Sequence, residues 1–232
     1  MPKPDPDLPE RLSADYDDVV AYLRANSGLP GPRANLELLA AAGALLSPDH
    51  AERLRAEPEE YLRCCGVVAL AGAFAADPGA VVLLLTRAAA DDSWRVREAV
   101  AMAAQRIGDD DLPALLTLVH AWCDHPDPLV QRAAVASICE PRLLRRPAGA
   151  AAALSACARV TANLLQLPRH RRSRPDARTL RQALGYCWSV AVAADPVRGL
   201  PPFLALDPSD PDLGWIVRTN LSKARLKRLL PA

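Results

Sequence analysis

The residues best suited to chemistry in this chain are cations. Arg169, Arg171, Arg172 and Arg174 fall within PRHRRSRP, and Lys223, Arg225, Lys227 and Arg228 crowd the C-terminal end. Such runs meet phosphates, and each phosphate neutralised steepens the salt dependence of duplex binding by about 0.9 in log–log slope. A second reading of the tail turns Leu221, Leu226 and Leu229 inward and leaves the cations wet. Other reactive types are dispersed. His50, His120, His125 and His170 lie far apart, and no Ser/His/Asp or Cys/His arrangement can be assembled around them. The glycine-rich loops that cradle nucleotide phosphates are missing, so no nucleotide cofactor is expected. The acidic triplet Asp109–Asp111 serves the N-terminus of the following helix, where negative charge is favoured. Adjacent carboxylates point in different directions, so no metal site is expected, and no cofactor of any kind.

The net charge of +1 hides a split: residues 1–141 carry 12 Lys+Arg against 22 Asp+Glu, whereas 142–232 carry 16 against 5. One half therefore suits a polyanion or an acidic partner. Six cysteines (Cys64, Cys65, Cys123, Cys139, Cys157, Cys187) form no C-x-x-C pair. Most sit in apolar stretches, where a free thiol behaves as a small hydrophobe; reduced, structural cysteines in a cytoplasmic protein are expected. The opening MPKPDPDLPE has no signal core, and no apolar run is read as reaching the ~18 residues of a membrane span, so no membrane partner is expected.

Positioning these residues falls to helices. Half the residues are apolar, only 4% are aromatic, and alanine and leucine run throughout, the best helix formers. Ser47-Pro48, Asp77-Pro78, Asp127-Pro128 and Asp195-Pro196 each read as an N-cap followed by proline at the first helical position. The pattern predicts an all-α fold of about 12 helices, over 14–26, 32–46, 48–56, 58–75, 78–90, 93–107, 112–123, 128–139, 148–166, 177–193, 196–205 and 212–229. Residues 1–12 read as a flexible arm, 13–232 as a single domain, and 168–175 as a basic loop too charged to be buried. After Trp94, the residues Val96, Val100, Ala103 and Ile107 make one buried face.

An internal repeat sets the architecture. Trp94-x-x-Arg97-x-Ala99-Val100-Ala101 recurs as Leu129-x-x-Arg132-x-Ala134-Val135-Ala136, 35 residues on. Weaker echoes begin at Arg178 and Trp215, and a degenerate copy at Tyr61. Asp92 and Asp127 stand at the same offset as caps, and the recurring arginine is expected to reach a carbonyl end or an Asp of an adjacent repeat. Paired antiparallel helices that cannot bury their apolar faces alone must stack on neighbours. The expected fold is a HEAT-like helical-repeat solenoid, a right-handed α-α superhelix with a concave groove.

From Trp94 onward, WRVREAVAMAAQRIGDDD, LVQRAAVASICEPRLL and QALGYCWSVAVAADP resemble the bacterial alkylpurine DNA glycosylases built from HEAT-like repeats, over roughly residues 58–230. The resemblance implies a site in which Trp94 supplies a first aromatic wall and Glu98 the carboxylate. It gives Arg132 the role of the groove arginine and Tyr186 that of the second wall, with Trp188 as a displaced candidate. An aromatic face attracts a cationic alkylated base, and a fixed carboxylate stabilises the charge of the departing sugar. Trp94 and Glu98, at i and i+4, share a helix face distinct from that of Val96 and Val100. The family has aspartate where Glu98 stands and tryptophan where Tyr186 stands. The resemblance therefore implies a DNA-binding repeat protein with lost or altered base excision, holding duplex DNA through Arg132, Arg171, Arg172, Lys223 and Lys227. The alternative is a non-enzymatic scaffold with a protein partner in the groove.

Overall fold

The structure is a computed structural model that describes residues 6–31 and 33–230. Among the described residues every regular element is a helix: α1 Leu8–Ser13, α2 Tyr16–Ala25, α3 Leu36–Leu45, α4 Pro48–Arg55, α5 Glu60–Ala73, α6 Pro78–Ala88, α7 Trp94–Asp110, α8 Leu112–Cys123, α9 Pro128–Ile138, α10 Pro147–Gln166, α11 Arg169–Arg172, α12 Pro175–Ala194, α13 Pro196–Leu204, α14 Pro211–Leu221 and α15 Ala224–Lys227, with a 3-10 turn at Leu143–Arg145. This is the expected all-helical repeat fold. Part of the arm expected at 1–12 lies outside the described residues; Leu8–Ser13 is a helix with Leu12 fully buried. The basic stretch expected as a loop contains the single-turn helix α11. The last expected helix is divided at Ser222 and Lys223, where Ser222 Oγ donates to the Thr219 carbonyl (2.7 Å) and Lys223 N–H to that of Asn220 (2.9 Å).

Capping residues place the helix starts. Ser47, Asp77, Asp127 and Asp195 accept backbone N–H groups of His50, Ala80, Leu129 and Arg198, and Asp111 accepts that of Ala114. Each such bond satisfies an orphan donor of the first turn, a stabilisation of about 1 kcal/mol.

The chain forms two compact units, residues 1–107 and 108–232. In the first, α5 is central and meets α2, α3, α4 and α6. Its Leu62, Cys65 and Val68 are fully buried, and each such aliphatic side chain contributes about 2 kcal/mol. Gly66 lets α4 close in: a Cβ there would stand 2.5 Å from the Arg55 nitrogen and 2.7 Å from the Ala51 oxygen.

In the second unit α12 is central, touching α9, α10, α13, α14 and α15. Trp188 is fully buried, with Phe203 at 5.8 Å between ring centroids, and its Nε1–H donates to Thr161 Oγ1 at 3.0 Å. Beside them α10 departs from the sequence expectation about apolar runs: by length and composition it is apolar enough to cross a membrane. Alanines throughout Pro147–Gln166 account for this, and half of the helix is buried against α8, α9 and α12.

Hydrogen bonds correct the repeat register from 35 residues to 34. Ser93 Oγ accepts from Arg95 N–H (3.2 Å), as Asp127 Oδ1 accepts from Leu129 N–H (2.8 Å). Ser93 N–H donates to Asp91 Oδ1 and Asp127 N–H to His125 Nδ1. The cap equivalent to Asp127 is thus Ser93, not Asp92. In this register Arg63, Arg97 and Gln131 coincide. Arg63 Nη1 donates to the Pro58 carbonyl (2.6 Å), Arg97 Nη1 to those of Asp91 and Asp92 (2.5 and 2.9 Å), and Gln131 Nε2 to that of His125 (2.7 Å). The recurring side chain ties its helix to the turn just before it. Leu62, Val96 and Val130 also coincide, all buried.

Candidate interaction surface

Trp94 opens α7 in the first unit and is 56% exposed. The Arg95 guanidinium lies over its ring, 4.7 Å from the centroid, and Arg95 Nη1 reaches Glu60 Oε1 at 2.6 Å. Glu60 also accepts from Ser93 Oγ at 2.6 Å, so the cap residue, the carboxylate and the guanidinium form one cluster beneath the indole. Glu98 follows one turn later and is exposed.

The other expected site residues belong to the second unit. Arg132 on α9 is only 8% exposed. Tyr186, midway along α12, is 45% exposed; Arg225 lies 4.7 Å over its ring and donates to its hydroxyl at 3.3 Å. Trp188, two residues on, belongs to the core, as a step of about 200° around a helix requires.

Arg172 is bound into the fold. Its guanidinium donates to the Leu167 carbonyl (2.8 Å), to that of Leu165 and to Asp210 Oδ2 (2.9 Å). Arg181 holds Asp212 at 2.7 Å and covers Trp215 at 5.0 Å. Arg171 makes a longer pair with Asp176 at 3.8 Å. Lys223 precedes α15 and is half-buried, whereas Lys227 is exposed and Leu226 beside it fully buried. Partial burial raises the Asp210 carboxyl, but the N–H groups of Leu213 and Asp212 and the Arg172 guanidinium outweigh that and hold it below the ordinary range.

Two clefts in the second unit were not anticipated. One of about 400 Å³ has Arg172, Arg181, Asp210 and Asp212 at its base and exposed Arg169, Arg178 and Gln182 at its edge. The other, of about 340 Å³, is floored by Pro141, Leu144, Val190, Ala193 and Ala194 and flanked by Arg145 and Arg225. The C-terminal excess of cations was the only trace of either in the sequence.

Residues 47–139 match the HEAT-repeat family. The matched segment runs from the cap of α4 to the residue that ends α9, and so covers the 34-residue register. No curated protein matches the chain. Similar solved structures include an engineered protein (15% identity, TM-score 0.37, 94% of this chain and 98% of that one). A designed armadillo-repeat protein in complex with the peptide (KR)4 gives 14% identity and a TM-score of 0.41 over 93% of this chain and 97% of that one. A second engineered protein gives 15% and 0.34 over 96% and 88%. The chain is an all-helical repeat protein whose residues 47–139 are similar to HEAT repeats.

Proposed function

We propose that this protein is a non-enzymatic scaffold whose repeats hold a protein partner. The observation that carries the reading is a pair of large aromatics held out in water, each braced by an arginine: Trp94 under Arg95 and Tyr186 under Arg225. Aromatic side chains and arginine are the types enriched at protein interfaces and among the residues that dominate their affinity. The same bracing speaks against base excision. An alkylated purine is a cation, and each ring offered to it already carries a guanidinium. Arg132, inside the second unit, is poorly exposed for contact with a phosphate.

A second reading, duplex DNA held by its backbone, draws on exposed Arg145, Arg169, Arg178 and Lys227. One comparison separates the two. Partners captured by proximity labelling are purified and titrated calorimetrically, beside a methylated duplex measured across a salt series. A stoichiometric protein complex weakened about tenfold by Trp94→Ala or Tyr186→Ala is expected. Duplex binding whose logarithm falls with a slope of several units against log salt refutes the scaffold reading, as does release of a methylated base that Glu98→Gln abolishes.

A further inference from the structure

One helix joins the two clefts of the second unit. Arg178 and Gln182 line the basic cleft, Tyr186 stands one turn beyond, and Ala193 and Ala194 floor the apolar cleft. At 100° per residue, Arg178, Gln182, Tyr186 and Ala193 fall within about 80° of one another around α12. All four are exposed. Arg225 makes the middle continuous, since it both covers Tyr186 and flanks the apolar cleft. From Arg178 to Ala193 the helix rises about 22 Å, the length of about seven residues of extended chain.

Charge along this stripe has one sign. Of the acids at the basic cleft, Asp210 is held by Arg172 and Asp212 by Arg181. No ion pair engages Arg169, Arg178, Arg225 or Arg145 among the described residues. The cleft thus offers cations at one end, an arginine-braced aromatic in the middle and a shallow alanine–proline floor at the other.

We propose that this stripe of α12 is a docking groove for an acidic, extended segment of a partner protein. Carboxylates of the segment lie beside Arg169 and Arg178, its backbone crosses Tyr186 and Arg225, and an aliphatic or aromatic side chain rests on Pro141, Ala193 and Ala194. The proposal rests on the scaffold reading and adds to it a place and a chemistry. A segment of glutamates or aspartates with one apolar anchor satisfies both ends, whereas a basic segment meets like charge along the whole length.

The test uses the full chain and two fluorescein-labelled decapeptides, six glutamates followed by Gly-Leu-Leu-Gly and the reversed sequence, each with a lysine-for-glutamate control. Fluorescence anisotropy is expected to show one glutamate peptide binding at least tenfold more tightly than its lysine counterpart. The double variant Arg178→Glu/Arg225→Glu weakens it by about a hundredfold, and Ala193→Gln by about tenfold. Arg87→Glu, an exposed charge on α6, leaves it unchanged. Thermal melts check that each variant folds. Equal affinity for the glutamate and lysine peptides, or a glutamate peptide indifferent to the double variant, overturns the assignment. So does a 20-base-pair duplex that binds more tightly than either peptide and is lost in the same variant. A purified partner that binds wild type and double variant alike also overturns it, yet leaves the scaffold reading intact; a protein with no partner sinks the scaffold reading itself.

Discussion

Asn220→Ala gives a clean measure of how the last repeat is held. Asn220, on α14 in the copy that begins at Trp215, is fully buried. A buried amide must find partners or destabilise the fold. Asn220 Oδ1 accepts from Ser189 N–H at 2.8 Å, and Nδ2 donates to the carbonyls of Leu184 (2.9 Å) and Ile216 (2.8 Å). Two of these bonds cross from α14 to α12. Three hydrogen bonds at about 1 kcal/mol each set the loss near 3 kcal/mol. Alanine's better helix propensity returns about 0.6 kcal/mol. The expected destabilisation is therefore about 2–3 kcal/mol. Urea denaturation followed by circular dichroism reads it as a lower midpoint with an unchanged slope. Asn220→Asp is expected to be at least as damaging, because it discards both donations and buries a carboxylate. Thr219→Ala, on the neighbouring position, is the control. An Asn220→Ala variant within 0.5 kcal/mol of wild type refutes the view that the amide bridges the two helices.

Three further outcomes follow from the same geometry. All six cysteines are buried thiols outside any disulfide, and burial pushes Cys64 and Cys123 up to about 12; a thiol reagent at pH 8 is expected to label none of them in the native protein and all six in guanidinium, as counted by mass spectrometry. Asp210 titrates below its unfolded value of about 3.9, so its contribution is complete above that pH and is lost as pH falls through the lower folded value; Asp210→Asn is expected to melt below wild type at pH 7 and to show a shallower decline between pH 4 and 2. Arg172→Ala strips donors from two carbonyls and leaves Asp210 without its guanidinium, a loss of about 2–3 kcal/mol in the same denaturation assay, whereas Lys227→Ala on the exposed tail stays within about 0.5 kcal/mol.

Helix starts were legible because their cause is local. Serine or aspartate before proline is a complete instruction for a first turn, and Ser47, Asp77, Asp127 and Asp195 each accept the N–H that the motif anticipates. The register was misjudged by one residue for an equally local reason. Ser93 lies beside two aspartates that look like better caps, and only the bonds from Arg95 N–H and to Asp91 identify it. The surface residues were less readable because their meaning depends on partners far away in sequence. Arg172 and Arg171 are near twins in PRHRRSRP, yet one is bound to Asp210, 38 residues on, and the other leans on Asp176. Tyr186 and Trp188 differ by two positions and occupy opposite environments. Neither the Arg225 brace nor the apolar floor at Ala193 has any signature in the string of residues.

The tie that Arg63, Arg97 and Gln131 make closes within about seven consecutive residues, and the cap in front of it within two. The copies beginning at Tyr61 and Trp94 are also fastened to each other: Arg63 pairs with Asp91, and Glu60 accepts from Ser93 and pairs with Arg95. Excising the block 93–126 keeps each local tie whole but strips Glu60 of both Ser93 and Arg95 and sets Asp127 in the place of the serine, so a change in copy number leaves a carboxylate to be repaired. The length of such a chain is therefore constrained by the chemistry of its joints as well as by its buried apolar faces.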